Sequence, residues 1–129
     1  MPPRQLVVLV VDDRKVMRNI IKNMLSNLCQ CTFLDATNGR DAEQLLLSAK
    51  PDAVMLDWNM PEVNGLEFLK KARALPEYKN LPIIMVTSEA AKSNVREAVM
   101  AGVTDYIIKP VNEADLLSKF RKHVFKDQN

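Results

Sequence analysis

The sequence predicts one doubly wound α/β domain in which five parallel strands alternate with five helices. Two kinds of segment take turns along the 129 residues. Short runs rich in apolar and β-branched residues are nearly continuous in apolarity, the pattern of strands buried on both faces of a parallel sheet. Between them, apolar residues return every three or four positions, as on one face of a helix. Strands that alternate with helices in this way build a parallel sheet through right-handed crossovers.

The strand runs are LVVLVV at 6–11, CTFLDA at 31–36, AVMLD at 53–57, PIIMVT at 82–87 and DYIIK at 105–109. The first helix is expected over 14–28, with Val16, Met17, Ile20, Ile21, Met24, Leu25 and Leu28 inward and Arg14, Lys15, Arg18, Asn19, Lys22 and Asn23 outward. Ala42, Leu45, Leu46 and Ala49 mark a second helix over 39–49. Leu66, Leu69 and Ala72, with Arg73 and Leu75, mark a third, and Leu116, Leu117, Phe120, Val124 and Phe125 mark the last. Val95, Ala98 and Val99 mark the fourth, which Gly102 should stop, because glycine enters the left-handed conformation that ends helices. Met17, Met24, Met55, Met85 and Met100 fall in these stripes and strands and read as core filler.

Bulk composition narrows the function. A net charge of +2 is too small to point to nucleic acid. No apolar run approaches the roughly 18 residues that span a bilayer. The amino terminus MPPRQLVVLVVDD carries acids where a signal peptide needs a small-residue cleavage site. Cys29 and Cys31 are too few for a disulfide framework or a zinc site, and read as reduced thiols of a cytosolic protein. No linker or low-complexity segment divides the chain, so residues 1–129 are expected to form one domain without a separate output domain.

Ligands of open α/β sheets bind beyond the carboxyl ends of the strands. There the sequence places Asp12 and Asp13 after strand one, Asp57 after strand three, Thr87 and Ser88 at the end of strand four, and Lys109 and Pro110 after strand five. Three carboxylates against one ammonium leave two negative charges, which a dication neutralises. Hard oxygen ligands with room for water suit Mg²⁺ better than zinc. The alternative for Asp12 and Asp13 is a capping role on the helix that starts near Arg14.

The chemistry narrows by exclusion. The single histidine, His123, sits near the carboxyl terminus, where a solvated place on a helix face is expected, and no Ser-His or Cys-His pairing is evident. The three glycines, at 39, 65 and 102, make no phosphate loop. A carboxylate nucleophile beside a metal remains, and an Asp–Mg²⁺–Lys arrangement suits phosphoryl transfer.

The motifs VLVVDD, DATNGRDA, MLDWNMPEVNGLEFLK, PIIMVTSEA and AGVTDYIIKP, followed by an amphipathic helix, occur in that order from about Gln5 to Lys126. This series resembles the receiver domains of two-component response regulators, and among them the small stand-alone chemotaxis regulators. The resemblance implies a flavodoxin-like fold and a signalling switch, not a conventional enzyme. It implies Asp57 as phosphoacceptor, with Asp12, Asp13, Asp57 and the Asn59 backbone carbonyl around Mg²⁺, Asp12 acting through water. It further implies Lys109 and Thr87 as partners of the phosphoryl group, Tyr106 as a rotamer switch, and a cis Lys109–Pro110 bond. Asn59 and Glu89 occupy the two positions that tune dephosphorylation. The implied partners are a histidine kinase as donor, a flagellar motor switch protein or other output protein on the face of helix four, strand five and helix five, and a phosphatase. Neither direct nucleic-acid binding nor membrane insertion is implied, and the location is cytoplasmic.

Three positions depart from the family pattern. Arg14 follows the acid pair with a long cation, Asn64 stands where an acid is usual before Gly65, and Val111 replaces a bulkier aromatic. Within the family, a phosphorelay receiver or the receiver part of a larger transcriptional regulator are the alternatives. Basic residues Lys119, Arg121, Lys122 and Lys126 read as a solvated or protein-docking face. A haloacid-dehalogenase-type phosphatase would need an acid at position 59, where Asn59 stands. A flavodoxin would need a phosphate-binding loop where DDRKV places two anions.

Overall fold

The computed structural model describes residues 5–125. Strands β1 (Leu6–Val11), β2 (Cys31–Ala36), β3 (Ala53–Leu56), β4 (Ile83–Thr87) and β5 (Asp105–Ile108) form one parallel sheet in the order β2-β1-β3-β4-β5. Between and after them run α1 (Lys15–Ser26), α2 (Gly39–Ala49), α3 (Gly65–Arg73), α4 (Lys92–Met100) and α5 (Glu113–Val124). The doubly wound architecture expected from the alternating pattern is the one observed.

The sheet separates two cores, and residue parity along each strand decides which side chain enters which. Leu9, Val11, Val54, Leu56, Ile83 and Met85 face Ala42 and Leu46 of α2, Phe68, Leu69 and Ala72 of α3, and Ala98 of α4. Val8, Val10, Met55, Ile84 and Val86 face Ile21 and Leu25 of α1 and Leu116 and Phe120 of α5. Burial on both faces is why β1, β3 and β4 lack an alternating polar pattern. The outer strands differ: β2 and β5 lie at the sheet edges and are only partly buried, so continuous apolarity overstated their burial.

Local chemistry sets the helix starts. Asn38 and Asn112 accept the Asp41 and Asp115 amides at the starts of α2 and α5. Asn64 and Glu67 form a reciprocal capping box on α3, so the departure at position 64 caps a helix. Neither Asp12 nor Asp13 caps α1, whose first flanking residue is Arg14 without a side-chain cap. Gly102 ends α4 with φ +97, as its composition predicts. A short 3-10 turn, Pro76–Tyr78, was not anticipated; it buries Tyr78, whose hydroxyl donates to the Leu46 carbonyl at 2.7 Å.

Several expectations are corrected. Met100 is 82% exposed and fills no core. Val16, expected inward, is 72% exposed, and Val99 is exposed too, because α1 and α4 cover the sheet with narrower stripes than their apolar spacing suggests. His123 is not freely solvated: its Nε2 lies 2.9 Å from the Asp105 carboxylate, joining α5 to β5. Cys29 and Cys31 are not free thiols but a disulfide, their Cα atoms 5.6 Å apart as the chain turns into β2. That separation falls in the bridging range of about 4.4–6.8 Å. Lys126 lies outside the described residues.

Candidate functional site

Strand register assembles the site. Val11 pairs with Leu56, Leu56 with Met85, and Thr87 with Ile108, so β1, β3, β4 and β5 end side by side. The next residues, Asp12, Asp57 and Lys109, leave the sheet at one rim, where Thr87 closes β4. The Asp12 and Asp57 carboxylates gather there with Asp13, each of the three bringing an oxygen to within 4.8 Å of the others.

The two inner acids are buried, Asp12 at 1% and Asp57 at 6% exposure, while Asp13 is exposed. Burying such groups is costly unless donors surround them. Asp12 has two: the Arg14 amide on Oδ1 at 2.9 Å and the Lys109 ammonium on Oδ2 at 2.8 Å. Asp57 takes the Trp58 amide on Oδ1 at 2.8 Å, and its Oδ2 lies 3.6 Å from Lys109, with the Thr87 hydroxyl as a further stabilising neighbour. Burial pushes the Asp57 carboxyl above the usual carboxylate range; Thr87 and Lys109 oppose that push and the nearby Asp12 charge adds to it. An excess of negative charge with hard oxygen donors fits a divalent cation such as Mg²⁺.

Glycine makes room beneath Asp57. A Cβ on Gly65 would collide with the Asp57 carbonyl oxygen, so the loop from Asp57 returns directly under itself into α3. The Gly65 amide closes that return on the Trp58 carbonyl at 2.9 Å.

A second layer of contacts runs from the pocket toward α4. Asn59 donates its amide to Glu89 Oε1 at 2.7 Å, and Asn94 donates to Glu89 Oε2 at 2.9 Å. The Tyr106 hydroxyl donates to the Glu89 carbonyl at 2.6 Å. Burial raises the Tyr106 phenol above its usual range, with the Glu89 and Asp57 charges adding to the effect. Lys119 donates to the Tyr106 carbonyl at 3.3 Å, so α5 holds the same strand. The Lys109–Pro110 peptide is cis. Val111 packs against the α1–α5 core.

The structure therefore brings together Asp12, Asp13, Asp57, Thr87 and Lys109, and places Asn59, Glu89 and Tyr106 in one adjoining network. Arg14 is exposed and reaches the site through its backbone amide. Sequence reasoning missed two members. Asn94 meets Glu89 only because α4 begins where it does. Arg18, read as an outward residue of α1, donates to the Asp12 carbonyl at 2.8 Å.

Comparison with known proteins agrees with this geometry. Residues 8–121 match the family model described as the response regulator receiver domain. A chemotaxis protein CheY homolog of Campylobacter jejuni is 48% identical over 112 residues, covering 86% of each chain. Chemotaxis protein CheY-3 of Vibrio cholerae is 40% identical over 119 residues, covering 92% of each. The solved structure of the chemotaxis response regulator CheY4 of Vibrio cholerae superposes with a TM-score of 0.84 at 31% identity, covering 92% of this chain and 98% of that one. With its sheet order, its acidic rim and these relatives in agreement, the chain belongs to the response regulator receiver domain family of two-component signalling, and is similar to the CheY chemotaxis regulators.

Proposed function

We propose that the protein is a phosphorylation-activated switch that takes a phosphoryl group from a histidine kinase onto Asp57. The observation that carries this reading is the convergence of Asp12, Asp13 and Asp57 at one rim, with Lys109 between Asp12 and Asp57. In the reaction an Asp57 oxygen attacks phosphorus and the phosphorus–nitrogen bond of the donor phosphohistidine breaks. Asp13, Asp57 and the Asn59 carbonyl would hold Mg²⁺, with Asp12 assisting through water. Bound there, Mg²⁺ would supply charge neutralisation for the transferring oxygens.

This chain's own residues do the rest. The Trp58 amide and Thr87 hydroxyl orient the carboxylate. Lys109 stands close enough to shift from Asp12 to a new phosphoryl oxygen. A phosphoryl group carries about −1.5 to −2 charge and three acceptor oxygens, which draw Thr87 and Lys109 toward it. The Tyr106–Glu89 bond then rebalances, and the surface of α4, β5 and α5 shifts its population toward the output-binding form. Asn59 and Glu89, bonded to each other beside Asp57, tune hydrolysis of the acyl phosphate, aided by a phosphatase.

Similarity to chemotaxis regulators supports a flagellar motor switch protein as the listener, in the cytoplasm. Exposed Val99 and Met100 on α4 and Ile108 on β5 offer it apolar anchors. The CheY relatives described above are covered over 86% and 92% of their own length, which supports a stand-alone receiver over the receiver part of a larger regulator. Among the described residues no helix is long and apolar enough to cross a membrane. Incubation with acetyl phosphate and Mg²⁺, followed by intact mass, tests the central step: wild type gains one phosphoryl group and Asp57→Asn gains none. A phosphorylated Asp57→Asn protein would sink the assignment.

A further inference from the structure

Arg18 stands on α1 with its side chain only 11% exposed, and it bonds in two directions. Its Nη1 donates to the main-chain carbonyl of Asp12 at 2.8 Å, and its Nε donates to Asp35 Oδ2 at 2.8 Å. Asp35 is a residue of edge strand β2, and Lys22 holds both of its oxygens from the next turn of α1 at 2.9 Å. Burial would raise the Asp35 carboxyl, but the bonds and charges of Lys22 and Arg18 outweigh it and hold it below its usual range. Asp35 is thus a charged anchor, and the guanidinium is tied to it.

The other end of that tie is the peptide joining Asp12 to Asp13, two of the three clustered acids. Asp12 has side-chain partners of its own in Arg14 and Lys109. Asp13 is exposed, and among the described residues its carboxylate has no hydrogen bond or ion pair, so backbone direction alone aims it at the rim. We propose that Arg18 is a positioning residue for the divalent-cation site, holding the Asp12–Asp13 peptide so that the Asp13 carboxylate faces Asp57. The inference rests on the reading of the pocket as a Mg²⁺ site. Arg18 bonds the carbonyl and not the carboxylates, so it takes no ligand oxygen from the cation. A rigid planar fork can serve two acceptors at a set angle, which the single ammonium of a lysine cannot reproduce.

Charge and position predict opposite signs. Removing a cation near three carboxylates tightens binding of a dication by Coulomb's law. Releasing the Asp12–Asp13 peptide weakens it. Titration of Mg²⁺ by Trp58 fluorescence on wild type, Arg18→Met, Arg18→Lys and Lys22→Met separates the two. Lys22→Met, which removes the other cation from Asp35, is expected to bind Mg²⁺ as tightly as wild type or tighter. Both Arg18 variants are expected to bind about tenfold more weakly, the scale seen when an outer support of a metal ligand is removed. The Arg18→Lys result isolates fork geometry because the charge is kept, and it stands if Arg18→Met does not fold. Thermal melts without Mg²⁺ confirm that each titrated variant is folded.

Unchanged or tighter binding by folded Arg18→Lys overturns the positioning role. In that case wild type still gains its phosphoryl group on Asp57, and the proposed function survives. A wild type that neither binds Mg²⁺ nor accepts phosphoryl overturns both.

Discussion

The Lys109 ammonium is bonded to Asp12, at 2.8 Å, and stands off from Asp57, at 3.6 Å. The lysine thus rests on one acid of the pair, which leaves the other freer to act as the proposed nucleophile. Lys109→Ala is therefore expected to keep most acetyl phosphate uptake by intact mass and to lose activation of output binding. Full binding of the output partner by the phosphorylated variant would remove Lys109 from the switch. Asp12, left buried with only the Arg14 amide, would cost stability, about 1–3 kcal/mol for an unpartnered buried group.

The raised Asp57 carboxyl has a pH signature. A carboxyl raised in the fold holds its proton more tightly than in the unfolded chain. Its contribution to stability therefore falls as pH rises from the ordinary carboxylate range through the raised value. Asp57→Asn removes that loss. In chelator at neutral pH, the variant should melt about 2–5 °C above wild type, and the gap should close on acidification, where both side chains are neutral. A gap that widens toward low pH would contradict the burial argument. Added Mg²⁺ should raise the melting temperature of wild type only, by mass action.

Gly65 offers a steric test. Any side chain there meets the Asp57 carbonyl oxygen, so Gly65→Ala must push the acceptor loop or unwind the start of α3. We expect a loss of at least about 2 kcal/mol in urea melts and slower phosphorylation of what remains folded. Wild-type stability in that variant would mean the loop yields freely.

Tyr106→Phe removes the donor to the Glu89 carbonyl and leaves the ring. The expected stability loss is about 0.5–1.5 kcal/mol. Phosphorylation of Asp57 should persist while binding of the output partner weakens. If both are unchanged, Tyr106 is only a rim aromatic.

The Cys29–Cys31 bridge lies at the amino end of β2, where Cys31 pairs with Leu6, far along the strands from the acidic rim. Alkylation followed by mass spectrometry should add two labels only after reduction. Cys29→Ser with Cys31→Ser should phosphorylate within about twofold of wild type and lose little stability, since so short a loop barely constrains the unfolded chain. Two labels without reductant would show free thiols.

What was legible in the sequence was what one element decides alone. Val8 to Val11 and Ile83 to Val86 are apolar because both sides of a central strand are covered, and Asp12, Asp57 and Lys109 stand out because each breaks such a run. Edge position was only half legible: β2 carries the polar Thr32 and Asp35, both exposed on this outer strand, but its apolar residues read like those of a central strand such as β1. Met100 and Val99 were misjudged because helical spacing records apolarity and not whether a partner surface exists. His123 with Asp105, Asn94 with Glu89 and Arg18 with the Asp12 carbonyl depend on packing between elements, which no local pattern encodes. The site was readable at the ends of strands and unreadable in its supports.

The order β2-β1-β3-β4-β5 has a practical corollary for anyone building a biosensor from this domain. Asp57 follows β3, Thr87 closes β4 and Tyr106 lies within β5, three successive strands that are also neighbours in space, so the proposed route runs sideways from lane to lane across the sheet. The exposed turn at Lys79 and Asn80 lies at the opposite pole, between α3 and β4. A fluorescent module spliced there would lengthen the chain while leaving every lane of that route as short as before.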